Sequence, residues 1–208
     1  MHGSLELLVT FIVQMIILVD PVAGAPVLLA ITPDNSRSER RSMALRGCLV
    51  ACLVICFFIL AGPWLLGYFG IQTEAVQICG GVLLFVIAME MLYGRTTGTE
   101  ISRREERLAE TKKDVSITPL AIPLLAGPGA IATALLFAGR ASGFSDYLIL
   151  LVGTFMVFTV TCMFLWQAEL LGKALGRLGM AVITRILGLI LAFLAVQYAI
   201  DGVRGVLG

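Results

Sequence analysis

Charge is scarce in this chain. Charged residues occupy 14% of 208 positions and histidine occurs once, whereas soluble domains carry roughly 25% charged residues. The net charge of +1 is too small to mark a polyanion-binding surface, so no nucleic-acid partner is expected. With His2 the sole imidazole, neither a Ser-His-Asp set nor a histidine-based metal site can be assembled. No lysine follows a glycine-rich loop; "GPGA" at Gly127 to Ala130 opens a helix without the rest of a phosphate-binding motif. An enzyme is therefore not expected, nor a cofactor or a metal. The five cysteines, Cys48, Cys52, Cys56, Cys79 and Cys162, all sit in apolar stretches, and an odd number so placed excludes a disulfide framework. Cys48, Cys52 and Cys56 share a helix face but read as small apolar residues rather than thiolate ligands. A basic leader is missing from "MHGSLELLVTFIVQMIILVD", and no cleavable signal peptide is expected.

What the chain has instead is hydrocarbon. Apolar residues make up 59% of it, concentrated in six segments at about 5–32, 43–69, 75–93, 117–138, 147–171 and 179–200, each near the ~20 residues that span a bilayer. Only helices or closed barrels satisfy their backbones in lipid, and the strand-like alternation of a barrel is absent. The expected fold class is an all-α membrane protein with six transmembrane helices. The one long polar stretch, "GRTTGTEISRREERLAETKKDV" at 94–115, reads as a solvated linker between a first half at 1–93 and a second at 116–208. Alternate loops of six spans share a side. One side collects Arg37, Arg40, Arg41, Arg46, the basic residues of the linker, Lys173, Arg177 and Arg185, which is 13 of the 15 basic residues. That excess marks the cytoplasmic side, so both termini are expected outside, in the periplasm of an inner membrane. Trp64, Tyr68, Tyr93, Tyr147, Trp166 and Tyr198 fall toward span ends and read as interfacial anchors.

Two stretches repeat a motif that helices ordinarily avoid. "PVAGAP" runs from Pro21 to Pro26 and "PLLAGP" from Pro123 to Pro128, an offset of 102. At an offset of 107, Gly81 pairs with Gly188, Ala88 with Ala195 and Glu90 with Gln197. Because each half holds three spans, the second half must lie upside down relative to the first, the inverted repeat of many secondary transporters, with broken helices in spans one and four. Proline removes an N–H and clashes with the carbonyl four residues back, so each stretch frees backbone polar groups that must be buried in protein or line a wet cavity. Two facing half-helix ends carry about +0.5 and −0.5 charge and suit a small zwitterionic solute. The expected binding residues are Asp20, Pro21, Val22, Ala23, Gly24, Ala25 and Pro26 from the first break, and Pro123, Leu125, Ala126, Gly127, Pro128, Gly129 and Ala130 from the second. Asp20 lies at a depth where a carboxylate costs about 2.5–3.5 kcal/mol. It is a candidate to meet a substrate ammonium or carry a coupling proton, and equally to cap the half-helix that follows. Coupling to H+ or Na+, and the direction of transport, stay open.

"DPVAGAP", "RSMALRG", "CGGVLLFVIAMEMLYG" and "TPLAIPLLAGPGAI", in this order, resemble the MarC/SnatA family of bacterial and archaeal inner-membrane proteins over essentially the whole chain. Family members usually carry an Asn-Pro-x-Gly-x-x-Pro motif in the first span; Asp20, Pro21 and Pro26 fall on its Asn and two Pro positions, and Ala23 on its Gly. The resemblance implies transport of small neutral amino acids such as glycine and alanine, at the same two breaks. The competing readings are a non-transporting membrane scaffold or regulator that uses the 94–115 linker, and an exporter or channel for another small solute. A homo-oligomer is compatible with a chain this small.

Overall fold

The computed structural model describes residues 2–94 and 116–207, so the expected linker, beyond Gly94, lies outside the described residues. Among them every element is helical: α1 (His2–Val19), α2 (Pro21–Ile31), α3 (Arg37–Tyr68), α4 (Thr73–Tyr93), α5 (Ser116–Leu125), α6 (Pro128–Arg140), α7 (Phe144–Trp166) and α8 (Ala168–Leu207). Among the described residues, five stretches are long and apolar enough to cross a membrane: Ser4–Ile31, Arg37–Tyr68, Thr73–Tyr93, Phe144–Trp166 and Leu178–Leu207. The expected span at 117–138 is not a sixth such helix, because it is divided into α5 and α6, and neither piece alone reaches the length of a span.

Local chemistry explains the boundaries. Ser36 and Glu39 form a reciprocal capping box that starts α3, satisfying two backbone donors that a helix start leaves open. Gly94 closes α4 in the left-handed conformation, where a side chain would be strained. α8 breaks at Gly176, with φ 61° and ψ 178°, a region open in practice to glycine alone.

The helices pair in an orderly way. α4 lies along α8 and α3 along α7; α1 packs on α7 and α5 on α3; α2 packs on α8 and α6 on α4. Glycines mark the closest approaches. A Cβ on Gly81 would lie 2.7 Å from the Ala195 carbonyl oxygen, and one on Gly188 would lie 2.7 Å from Met91 Cβ and 3.2 Å from the Ala88 carbonyl oxygen. On the second helix pair, a Cβ on Gly47 would lie 2.6 Å from Leu120 of α5, and one on Gly153 2.8 Å from Phe11 of α1. The largest buried cluster joins Phe11, Met15, Val19 and Leu28 to Ile55, Ile59, Leu125, Ala126, Ala130 and Val157, so both proline-bearing stretches reach one core. Outward-facing Leu53, Phe57, Phe155 and Phe193 are each 60–69% exposed, as suits a lipid-facing surface.

Arg40 ties this assembly at one end. Its guanidinium donates to Thr32 Oγ1 at 2.9 Å, to the Thr32 carbonyl at 2.9 Å, to the Asn35 carbonyl at 3.2 Å and to Glu169 Oε1 at 2.7 Å. It thereby joins the end of α2 to the start of α8. The Arg40 side chain is only 14% exposed, so these bonds exceed the value of a surface ion pair. Arg40→Gln is expected to lower stability by about 2 kcal/mol, the range of hydrogen bonds to charged groups. Thermal unfolding in detergent checks this.

Candidate functional site

Proline chemistry builds both breaks. The residue before a proline is pushed out of the right-handed helical region, and Thr118 before Pro119 and Ile122 before Pro123 obey, at φ −130°, ψ 120° and φ −132°, ψ 122°. The chain around them coils in wide turns: Ala126 N–H donates to the Ala121 carbonyl, five residues back, at 2.8 Å, a π-type bond. Gly127, before Pro128, is extended at φ −74°, ψ 170° and starts α6 with no side-chain cap. Pro128 has no N–H, so the first free donors of α6 are Gly129 and Ala130.

The first break is narrower than the sequence suggested. The whole of Pro21 to Pro26 is helical, with Pro21 at the start of α2 and Pro26 inside it. The departure is confined to Asp20, at φ 36°, ψ 72°, the one non-glycine residue with positive φ among the described residues. Aspartate tolerates this region better than most side chains because its carboxylate bonds locally; here Oδ1 accepts from Ala23 N–H at 3.1 Å. Pro26 still withholds a donor from the Val22 carbonyl, so an acceptor is left over one turn beyond the hinge.

Burial makes the hinge chemically unusual. Asp20 is 5% exposed, and its second oxygen, Oδ2, has no hydrogen-bond partner. Thr184 of α8 lies beside the carboxylate, yet no donor reaches Oδ2 with hydrogen-bond geometry. A second orphan lies on α6: Thr133 is wholly buried and its hydroxyl is unpartnered. Thr154 and Thr161, buried on α7, instead donate to carbonyls four residues back, at 2.8 and 2.9 Å. Buried polar atoms almost always find partners, which makes Asp20 Oδ2 and the Thr133 hydroxyl unusual.

The two breaks abut. A Cβ on Gly129 would lie 3.0 Å from Leu18 Cδ2, two residues before Asp20, and 2.6 Å from Ile87 of α4. Pro21, Gly24, Ala25, Leu125, Ala126, Gly129 and Ala130 are buried; Val22, Ala23, Pro26 and Gly127 are half-buried, and Pro128 is exposed. Gly24 faces Leu165 of α7, 3.6 Å from where its Cβ would stand. Tyr198, expected as an interfacial anchor, is instead 6% exposed, and its hydroxyl donates to Gln14 Oε1 on α1. Glu90, which its place near the end of a span suggested as an interfacial residue, is likewise buried, at 8% exposure.

A model of the MarC family of integral membrane proteins matches residues 5–207. The chain belongs to the MarC family. Among its relatives, a UPF0056 membrane protein of Methanocaldococcus jannaschii is 34% identical over 190 residues, covering 91% of this chain and 92% of the relative. YvbG, a UPF0056 membrane protein of Bacillus subtilis, is 30% identical over 187 residues and 89% of each chain. The UPF0056 inner membrane protein YhgN of Escherichia coli is 30% identical over 192 residues, 92% of this chain and 93% of its own. No solved structure matches. The MarC-family chain is thus an integral membrane protein.

Proposed function

We propose that this MarC-family protein is a secondary transporter of small neutral amino acids, glycine or alanine in size, in the inner membrane. The observation that carries the reading is the buried Asp20 carboxylate: one oxygen accepts from Ala23 N–H and the other is unpartnered, while α6 starts with no side-chain cap and its Gly129 faces Leu18, two residues before Asp20. A zwitterion answers both. Its ammonium goes to Asp20 Oδ2 and the free Val22 carbonyl, and its carboxylate to the Gly129 and Ala130 N–H groups, where the helix dipole favours an anion. Oδ2 is also the atom a coupling proton would take. The small residues Gly24, Ala25, Ala126, Gly129 and Ala130 limit what fits beside it.

Alternating access in this reading uses two inverted three-helix repeats, and the packing supports them. Exchanging the halves carries α1–α7 onto α5–α3, α2–α8 onto α6–α4, and the Gly81–Ala195 approach onto Gly188–Ala88. The excess of basic residues on one side supports termini facing the periplasm. The test is exchange: purified protein in liposomes should carry labelled glycine or alanine in saturable counterflow. Flux without saturation would favour a channel, and none would leave a scaffold.

Thr133 gives a separate check. An unpartnered buried hydroxyl costs roughly 1–3 kcal/mol, so Thr133→Val, nearly equal in shape, is expected to hold or raise the melting temperature. If the hydroxyl bonds the solute, the same variant binds glycine several-fold more weakly. Titration and melting of one sample read both.

A further inference from the structure

A groove of about 400 Å³ with polar and charged residues at its rim opens between α1, α6 and α8. Its rim carries Glu6, Thr10, Gln197 and Asp201, and Arg140 from the end of α6; its floor is the hydrogen-bonded pair Gln14 and Tyr198. Arg140 is one of two basic residues on the side of the protein that holds the termini, the other being Arg204. The Arg140 guanidinium stands 5.3 Å above the Tyr198 ring and 3.8 Å from Asp201 Oδ2, and among the described residues it makes no hydrogen bond. The aromatic face and the carboxylate hold it in place, while its donors remain available. Asp201 Oδ1 accepts from Gln197 at 2.8 Å, which fixes the carboxylate beside the guanidinium.

We propose that this groove is an outer recognition site for a free amino acid, a reading that rests on the proposed transport function. The fixed guanidinium takes the solute carboxylate through paired N–H donors, the geometry that suits arginine and not lysine. Asp201 and Glu6 take the ammonium. Charges of opposite sign on one rim select a zwitterion over a simple acid or amine, since either alone leaves one rim charge facing a neutral or repelling end. The groove floor lies near the hinge: Gln14 precedes Asp20 by six residues, about 9 Å along a helix.

The test is protection of Arg140 from phenylglyoxal, followed by mass spectrometry of the full-length protein in nanodiscs, with Arg204 as the internal control. Glycine should slow modification of Arg140 several-fold and leave Arg204 unchanged, whereas acetate or methylamine at the same concentration should protect little. Asp201→Asn should lose the glycine protection, and Asp20→Asn should keep it, because the groove does not include the hinge. Glycine leaving Arg140 as reactive as before would overturn the proposal, as would protection that disappears in Asp20→Asn. Counterflow in liposomes with Arg140 unprotected would sink the groove alone. A protected Arg140 without counterflow would sink the transport reading and keep the groove.

Discussion

Asp20→Asn is expected to abolish concentrative transport of glycine while the protein inserts and folds normally. The amide keeps what the hinge needs: its oxygen accepts from Ala23 N–H as the carboxylate does, and asparagine also tolerates the left-handed region. What disappears is the negative charge at Oδ2, and an NH2 group takes the place of an acceptor. A hydrogen bond to a charged partner contributes about 1.5–3 kcal/mol, so glycine affinity should fall roughly 10- to 100-fold. Any proton carried on Oδ2 is lost with it, leaving at most exchange down the gradient. Asp20→Leu is the contrasting variant. It removes the cap and puts a branched side chain where φ is 36°, adding about 1–2 kcal/mol of backbone strain, and should express poorly. Labelled-glycine uptake, normalised to inserted protein, separates the two. Undiminished accumulation by Asp20→Asn would remove this carboxylate from the mechanism.

The second large effect concerns the crossing of α4 and α8. At Gly81 an added Cβ meets backbone, 2.7 Å from the Ala195 oxygen and 2.9 Å from the Ala199 nitrogen. At Gly188 it meets Met91 Cβ at 2.7 Å, the Ala88 oxygen at 3.2 Å and the Leu92 nitrogen at 3.3 Å. Neither contact can be relieved by a rotamer change, so the helices must separate. Overpacking of this kind costs about 3 kcal/mol at its upper range, more than the fraction of a kcal/mol that valine gains over glycine in a helix. Gly81→Val and Gly188→Val should each lower stability by about that amount. Gly67→Val, where nothing stands within 4 Å, should not. Losses at both Gly81 and Gly188 are what the proposed inverted repeat predicts; a large loss at one and none at the other would count against it. Thermal unfolding in detergent reads all three.

The apolar runs marked six spans, and five of them coincide with helices long and apolar enough to cross a membrane among the described residues, because hydrocarbon length is a property of sequence alone. Paired prolines marked where the helices are interrupted, but not how. The first interruption shrinks to one residue because Pro21 sits at a helix start, where its missing N–H has no partner to lose. The second spreads upstream because Pro119, passed over in favour of Pro123 and Pro128, pushes Thr118 into an extended conformation as well. That signal was present in "TPLAIP" and could have been read from the rule for residues before proline. Gly47 and Gly153 were legible only as glycines, since their part in close packing depends on which helix lies opposite. For the same reason Tyr198 was read as an anchor: its position near a span end is local, while the Gln14 that receives its hydroxyl is 184 residues away. Thr133 gave no sign at all, because an unpartnered hydroxyl is visible only when the surroundings are known.

The most direct test of the central claim is solid-state NMR of the reconstituted protein with glycine labelled at its carboxyl carbon. The account predicts dipolar contact between that carbon and the amide nitrogens of Gly129 and Ala130, at about 4 Å, as an N–H donor to a carboxylate oxygen requires. Bound glycine whose carboxyl carbon contacts neither amide would contradict it.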